Sequence, residues 1–464
     1  MNSFSQRLLL ALSTGVLLSI AHGWWGTLAW LAPVPLLAGL RAASAREALW
    51  MGIVCGLSEA MILFGLAKAG LAVFVTLACA YALERAVFTL AVRWFGKHDD
   101  WALATASLWI LLEAGHAALP MSLPNLIGDT QHDGFILPLA RLGGTWLISF
   151  VMVWTAALMA RAWGHRPAAF QRVAVPVLCS LMLLGLASVY TPARGKELKV
   201  GLVQGGIPSW LYQRSHADAQ WRDVPAQIYQ HLTESLPATD LVIWPEAPLP
   251  YRWGEGGEFE GLLAELGDGH RPILTGAFRA EVSSIVYNAA LLFDGEREQW
   301  VDKRRLALEA ELWLTPGSGL ESLLMPNGTH LGVVFCLESV LPRYARELVS
   351  RAGADLLVVL ADGSRFGTTP VGRLHAQRSG VRAMEMGRTV IHAGQHGYST
   401  IYRPDGTSEP SWPLFTAKAA VLSAPEYSGL TPFVRWPYLL VQVAGLLLLG
   451  VVGRSVWARA KSAR

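Results

Sequence analysis

A cysteine closing an apolar run is the first residue in this sequence able to do covalent chemistry. The run is Leu331–Val340, LGVVFCLESV. Its β-branched residues stop at a thiol with a carboxylate two residues on, as in a buried strand that delivers side chains at its C-terminal end. Cys336 is one of 4 cysteines; Cys55, Cys79 and Cys179 fall in long apolar runs. A thiol attacks as the thiolate, so a nucleophilic cysteine needs a base. Glu246 follows the short run Leu241–Trp244 and Pro245. A carboxylate desolvated there has its pKa raised towards the range of a general base. Lys303 offers a fixed positive charge for a tetrahedral oxyanion, with the backbone N–H of Leu337 as a second donor. Each residue also has a plainer role open to it. Cys336 can pack as a small hydrophobe. Glu246 can cap a helix or end in a salt bridge, and Lys303 can open a solvated basic run with Arg304 and Arg305.

The elements that must position these residues alternate in type. Strands are expected at Glu197–Val203, Leu241–Trp244, Pro272–Phe278, Val286–Phe293, Leu331–Phe335, Leu356–Leu360, Thr389–His392 and Tyr398–Tyr402. Helices are expected at Ala226–Leu236, Phe259–Leu266, Pro342–Ala352 and Arg373–Gly387. Asp294-Gly295 and Pro404-Asp405-Gly406 read as turns. Such alternation argues for an α/β domain, whose sites lie at the carboxyl ends of strands, where Glu246 and Cys336 stand.

The remaining sequence is of another kind. The chain has 464 residues, 52% hydrophobic and only 16% charged, with a mean hydropathy of +0.35. Soluble domains carry about 25% charged residues, so much of this chain belongs in lipid. Apolar runs near Leu8–His22, Trp25–Leu40, Ala48–Leu66, Leu71–Ala91, Trp101–Leu119, Ile136–Ala160, Val173–Tyr190 and Trp436–Val452 each approach the roughly 20 residues of a spanning helix, the first two being short. Basic residues gather on one side: Arg7; Arg41 and Arg46; Arg93 and Lys97; Arg161, Arg166 and Arg172; Arg454, Arg459, Lys461 and Arg464. The opposite short loops hold Lys68 and little else. The positive-inside rule then puts both termini in the cytoplasm and the α/β domain outside, in the periplasm of a Gram-negative cell. Trp24, Trp25, Trp101 and Trp436 suit interfacial anchors.

Four ionisable residues, Glu59, Glu84, Arg85 and Glu113, lie inside apolar runs and serve either as ties between helices or along a substrate path. Glu84 and Arg85 are neighbours about 100° apart on a helix and need not pair with each other. The polar loop Pro120–Phe135, with Asn125, Asp129, His132 and Asp133, falls on the outer side. His132 and Asp133 alone make a poor metal set, no cysteine spacing suggests zinc or a disulfide framework, and a formal net charge of +3 with no basic, aromatic-interleaved surface gives no sign of nucleic acid.

Three motifs occur in order: LVIWPEAPLP around Glu246, DKRRLALEAE from Asp302 to Glu311, and GVVFCLESVLP around Cys336. Together they resemble the Glu-Lys-Cys signature of the nitrilase, or carbon–nitrogen hydrolase, superfamily. With the helices before and after the domain, and with LLEAGHAALP, GGTWLISF and HAQRSGVRAMEMGRTVIHAGQHGYSTIYRPDG, nearly the whole chain resembles the apolipoprotein N-acyltransferase family. The resemblance implies a polytopic α-helical membrane domain of about eight helices (residues 1–192, with a final helix and basic tail at 433–464). It also implies an extracytoplasmic nitrilase-like αββα domain at 193–432. Glu246, Lys303 and Cys336 would be catalytic, with Glu311 and Glu338 shaping or orienting the site.

The implied reaction is ping-pong: Cys336 takes an acyl chain from a phospholipid, and the terminal amine of a lipoprotein then takes it from the thioester. No metal or organic cofactor is implied. The expected partners are a phospholipid donor, a lipoprotein acceptor and the bacterial inner membrane, without nucleic acid, for a chain working as a monomer.

Three segments depart from the family pattern. The stretch between Glu311 and Cys336 is short, Arg365 stands where an aromatic is usual, and Leu306–Leu312 replaces a proline-and-glycine segment. These leave open an amidase or acyl-transfer paralogue with another substrate, such as the nitrilase-like TraB proteins of conjugal transfer, and a non-catalytic membrane scaffold.

Overall fold

The structure, a computed structural model of the chain, describes residues 3–65, 71–95, 100–118, 126–162, 166–267, 271–282, 285–307 and 311–462. Leu66, Lys68, Lys97, residues 119–125 (Asn125 among them), the middle of Leu306–Leu312 and Arg464 lie outside these, as do the side chains of Arg166, Arg172, Arg365, Arg459 and Lys461. The chain divides into two compact units, Met1–Tyr190 with Trp436–Arg464, and Thr191–Arg435.

The first unit is helical: α1 (Phe4–Gly23), α2 (Val34–Leu40), α3 (Ala45–Gly65), α4 (Leu71–Phe95), α5 (Trp101–Ala118), α6 (Ala140–Ala162) and α7 (Arg166–Val189) precede the second unit. Among the described residues, four segments are long and apolar enough to cross a membrane, Phe4–Gly23, Leu71–Phe95, Leu137–Ala162 and Leu439–Trp457. The second apolar run, Trp25–Leu40, is not one helix. It is a 3-10 turn at Gly26–Trp30 and the seven-residue α2, because Pro33 and Pro35 withhold N–H donors and favour a new helix start.

Helix contact in lipid needs small residues. A Cβ on Gly52 would lie 2.5 Å from Ala86 Cα, and one on Gly56 2.3 Å from the Tyr81 carbonyl, so α3 and α4 meet at backbone distance. The buried charges join the same helices. Arg85 donates to Glu59 through Nε (3.0 Å) and Nη2 (3.2 Å), and to Glu84 through Nη1 at 2.7 Å. Adjacent residues that helix geometry does not oblige to pair do so here, because the long arginine side chain folds back across the angle between them. Glu84 also meets His116 Nδ1 at 2.7 Å, and the Arg85 guanidinium sits 4.2 Å from the Trp109 ring centroid. These side chains tie α3, α4 and α5 together.

The second unit runs β1 (Ala193–Gln204), α8 (Ser209–Ala217), α9 (Ala219–Arg222), α10 (Val224–Glu234), β2 (Leu241–Ile243), β3 (Arg252–Trp253), α11 (Glu258–Gly267), β4 (Ile273–Val282), β5 (Ile285–Phe293), β6 (Glu298–Asp302), β7 (Leu323–Leu324), β8 (His330–Phe335), α12 (Leu337–Val340), α13 (Pro342–Ser350), β9 (Leu356–Ala361), α14 (Pro370–Met386), β10 (Thr389–Gly394), β11 (Thr400–Tyr402), β12 (Lys418–Ser428) and α15 (Pro432–Arg435). The final helix of the first unit follows as α16 (Leu439–Ser462). One sheet has the order β12-β1-β2-β4-β5-β6 with β3 beside β4; the other has the order β11-β10-β9-β8-β7. β1, β2 and β4 are parallel, as are β8, β9 and β10.

Strand alternation makes four layers. Leu198, Val200 and Leu202 of β1 share one core with Leu331, Val333 and Phe335 of β8 and Leu356, Val358 and Leu360 of β9, so the sheets face each other. The opposite face of the first sheet, with Val203, Val242 and Ile273, packs on Tyr229 of α10 and Phe259 and Leu263 of α11. The αββα order expected from the resemblance is the one observed. Elements not among those expected from the sequence are the short β3, β7, α12 and α15, the strand β6, the helices α8 and α9, and the eleven-residue β12, which pairs antiparallel along the length of β1.

One glycine fixes how close β4 comes to the end of β2. A Cβ on Gly276 would stand 2.5 Å from Ala247 N and 2.7 Å from Glu246 Cα. Gly276→Ala should therefore lower stability by about 1–3 kcal/mol, as overpacking does, and lower activity as well by displacing Glu246. Thermal unfolding beside an initial-rate assay checks both; wild-type behaviour in both would refute the contact.

Candidate active site

Cys336 follows the last residue of β8, Glu246 stands just beyond β2, and Lys303 follows β6. One strand from each sheet thus ends at the site, and the β5–β6 hairpin brings the lysine. Cys336 has φ 29° and ψ −103°, a conformation that costs on the order of 1–3 kcal/mol and persists only when its surroundings hold it. Its N–H donates to the Leu360 carbonyl at 2.8 Å. Its half-buried thiol lies 4.0 Å from the Asp362 carbonyl.

The two other expected catalytic residues are joined. Lys303 Nζ donates to Glu246 Oε1 at 2.8 Å and to Glu311 Oε1 at 2.8 Å. Lys303 is only 2% exposed, which excludes a solvated basic run. Asn288 Nδ2 reaches the same two oxygens, at 2.8 Å and 2.7 Å. The ammonium and the amide therefore bridge the same pair of carboxylates, and the Asn288 carbonyl accepts from the Lys303 N–H at 2.8 Å. Glu246 Oε2 accepts from the Asp362 N–H at 3.1 Å, and Glu311 Oε2 from the Ala307 N–H at 2.6 Å.

Glu338 is buried and does not join this cluster. Its carboxylate accepts from the N–H groups of Phe335 (3.0 Å), Arg304 (2.7 Å) and Arg305 (2.9 Å). It therefore ties the end of β8 to the segment just after Lys303. Leu337 is the first residue of α12, and among the described residues its N–H donates no hydrogen bond.

Electrostatics follow from burial. Desolvation raises the pKa of Glu246, with Lys303 opposing it and Glu311 adding to the rise. Burial opposes the Lys303 ammonium, but Glu246, then the Cys336 thiolate and Glu311, outweigh it and hold its pKa above the ordinary lysine value. Burial, then the charge of Glu246, pushes the Cys336 thiol up, and Lys303 works the other way. A lysine fixed as a cation, a carboxylate with raised basicity and a protonated thiol can together deprotonate a nucleophile and stabilise an oxyanion.

Sequence reasoning missed Asn288, Asp362, Ser339 and His375. Asn288 had a signal, being the one polar residue in the run Ile285–Phe293. Asn288→Leu removes a donor shared by two carboxylates and should cost about 1–3 kcal/mol of stability. Losing a donor to the ionised form raises the Glu246 pKa further, so the acid limb of the activity profile should move to higher pH. Asn288→Asp, which adds a third carboxylate, should be the more damaging change. A pH–rate profile with thermal unfolding checks this, and unchanged profiles in both variants would refute the bridging role.

Comparisons with known proteins bear on the same two units. Residues 14–158 match the profile of the apolipoprotein N-acyltransferase N-terminal domain, and residues 199–412 match that of carbon-nitrogen hydrolase. The chain is similar to the apolipoprotein N-acyltransferase of Pseudomonas putida, 30% identical over 95% of each chain. It is similarly 30% identical to that of Azotobacter vinelandii, over 95% of this chain and 94% of the relative. A solved carbon-nitrogen hydrolase superfamily protein of Xanthomonas campestris aligns with a TM-score of 0.40 and 17% identity over 53% of this chain and 97% of its own. On its sequence likeness along nearly its whole length, the chain belongs to the apolipoprotein N-acyltransferase family.

Proposed function

We propose that the chain moves a fatty acyl group from a phospholipid, through a thioester on Cys336, to the N-terminal amine of a lipoprotein. The observation that carries the reading is the strained Cys336 set beside a buried Glu246–Lys303–Glu311 cluster. Glu246 takes the thiol proton as Sγ attacks the ester carbonyl, and Lys303 and the Leu337 N–H hold the oxyanion. Collapse expels the lysophospholipid alkoxide, which receives the proton back from Glu246, and leaves the thioester. The acceptor amine then attacks the thioester carbonyl and gives its proton to Glu246, which passes it to the departing sulfur, so that Cys336 leaves as the thiol and an amide forms. Both halves use one base in opposite senses, as ping-pong transfer requires.

The finer topology belongs to this reading. About eight membrane segments, cytoplasmic termini and a periplasmic catalytic domain are supported by the one-sided distribution of Arg and Lys. Alkaline phosphatase fused after Ser428 should be active, and fused after Ser462 inactive; the reverse result would invert the orientation.

Intact-mass measurement after incubation with phosphatidylethanolamine should show a fatty-acyl addition that hydroxylamine removes and that Cys336→Ala lacks. Folded protein in excess lipid with no such addition would sink the phospholipid-donor reading. The base must be ionised to act, and burial raises its pKa, so activity should fall as pH drops through a point above the ordinary glutamate value. Glu246→Gln should abolish the acyl addition at every pH. If it instead retained the wild-type acid limb, Glu246 would not be the base.

A further inference from the structure

The carbonyl of the nucleophile is held by more donors than a turn requires. Cys336 O accepts from His375 Nε2 at 2.6 Å, from the Ser339 hydroxyl at 2.9 Å and from the Ser339 N–H at 3.1 Å. The Ser339 hydroxyl also lies 3.0 Å from His375 Nε2. A ring nitrogen that close to a carbonyl oxygen must carry its proton, which fixes the Nε2–H tautomer of a neutral imidazole. Burial favours the neutral ring, pushing the His375 pKa down to about 4. His375 comes from α14 and Ser339 from α12, so two separate elements converge on one carbonyl.

The planar trans peptide gives this a consequence. The carbonyl of Cys336 and the N–H of Leu337 belong to one plane and point in opposite directions. Fixing the carbonyl therefore fixes the N–H, which donates no hydrogen bond among the described residues. Were the plane to turn over, the carbonyl would face the site and the N–H would be lost to it. Turning it over would rotate ψ of Cys336 and φ of Leu337 together and would break all three hydrogen bonds on the carbonyl, two from Ser339 and one from His375.

We infer that His375 is a positioning residue which, with Ser339, holds the Cys336–Leu337 peptide so that the Leu337 N–H faces the oxyanion formed on attack by Cys336. The inference deepens the acyl-transfer reading and rests on Cys336 being the nucleophile, but not on the identity of the acyl donor. His375 does not touch the sulfur, so it acts through the backbone alone.

The test compares wild type, His375→Ala, His375→Gln and Ser339→Ala as full-length protein in detergent. One probe is phosphatidylethanolamine, read as the single-turnover rate of thioester formation. The other is a long-chain aldehyde, whose carbonyl carbon bonds to Sγ while the thiol proton passes to its oxygen. That oxygen then occupies the oxyanion position. Loss of one oxyanion donor costs about 10²–10³ in rate, so His375→Ala should slow thioester formation and weaken aldehyde binding by at least about tenfold. KM for the phospholipid should stay within about twofold. The pH dependence of iodoacetamide alkylation at Cys336 should not move. His375→Gln, which keeps an N–H donor, should recover part of the loss. Ser339→Ala, nearly isosteric, should lose in the same direction while unfolding at the wild-type temperature.

Wild-type rates and aldehyde affinity in both alanine variants would overturn the inference. So would a shift of the alkylation curve, which would make His375 a titrating partner of the thiol. Wild-type protein that binds the aldehyde yet forms no thioester would remove the phospholipid reading while leaving the peptide clamp to be judged on aldehyde affinity.

Discussion

The site depends on one ammonium held between two carboxylates in a place water does not reach. Taking each ion out of water costs several kcal/mol, and the attraction between them offsets this only with close contact and satisfied lone pairs. Lys303 meets Glu246 and Glu311 at 2.8 Å each, and Asn288 bridges the same oxygens from the other side. The amide matters because a single cation cannot neutralise two anions. Asn288 adds partial positive charge without adding titratable chemistry. The cluster also explains why the strands end where they do. β2 and the β5–β6 hairpin must stop within hydrogen-bond reach of each other, and the absence of a side chain at Gly276 permits that approach.

On the nucleophile's side the constraint is backbone strain. Cys336 keeps a conformation that L residues rarely adopt because both flanking peptides are pinned. Its N–H is held by Leu360 of the neighbouring strand, and its carbonyl by Ser339 and His375. Glu338 gathers three N–H groups, one from the end of β8 and two from the residues after Lys303. A carboxylate used in this way transmits position. It couples the strand that carries the sulfur to the segment that carries the cation, so neither moves without the other. Removing it would leave three buried donors without an acceptor, a larger penalty than the loss of one ordinary hydrogen bond.

Much of this was readable because it is local. Short β-branched runs ending at polar residues gave β2, β8 and β9, and the same rule placed Glu246 and Cys336 at strand ends. What escaped depended on partners distant in sequence. β12 is a polar-flanked segment whose strand state comes from pairing with β1, more than two hundred residues earlier. Asn288 is a polar residue in a largely apolar strand, and its role exists only through two carboxylates that other segments bring to it. Lys303, read as a fixed cation for an oxyanion, left a solvated basic run with Arg304 and Arg305 open beside that reading. It is buried because the hairpin turns it inward, while Arg304 lies over the Tyr344 ring and pairs with Glu347. Glu84 and Arg85, about 100° apart on a helix, need not pair; that they do shows that the angle constrains Cβ directions and not the reach of a guanidinium.

The raised pKa of the thiol looks at first like an argument against nucleophilic catalysis, since low-pKa cysteines are the reactive ones in many sites. The geometry resolves this. A thiolate kept permanently beside Lys303 would compete for the positive charge that the oxyanion needs, and it would be open to oxidation between turnovers. In the proposed transfer, the protonated thiol passes its proton during attack to a carboxylate whose basicity burial has raised. In that proposed transfer, negative charge passes from Glu246 to sulfur and then to the substrate oxygen, with Lys303, paired to Glu246 at 2.8 Å, as the neighbouring cation. Lys303 therefore faces little change in its own surroundings as the reaction proceeds, which is what a preorganised electrostatic site requires.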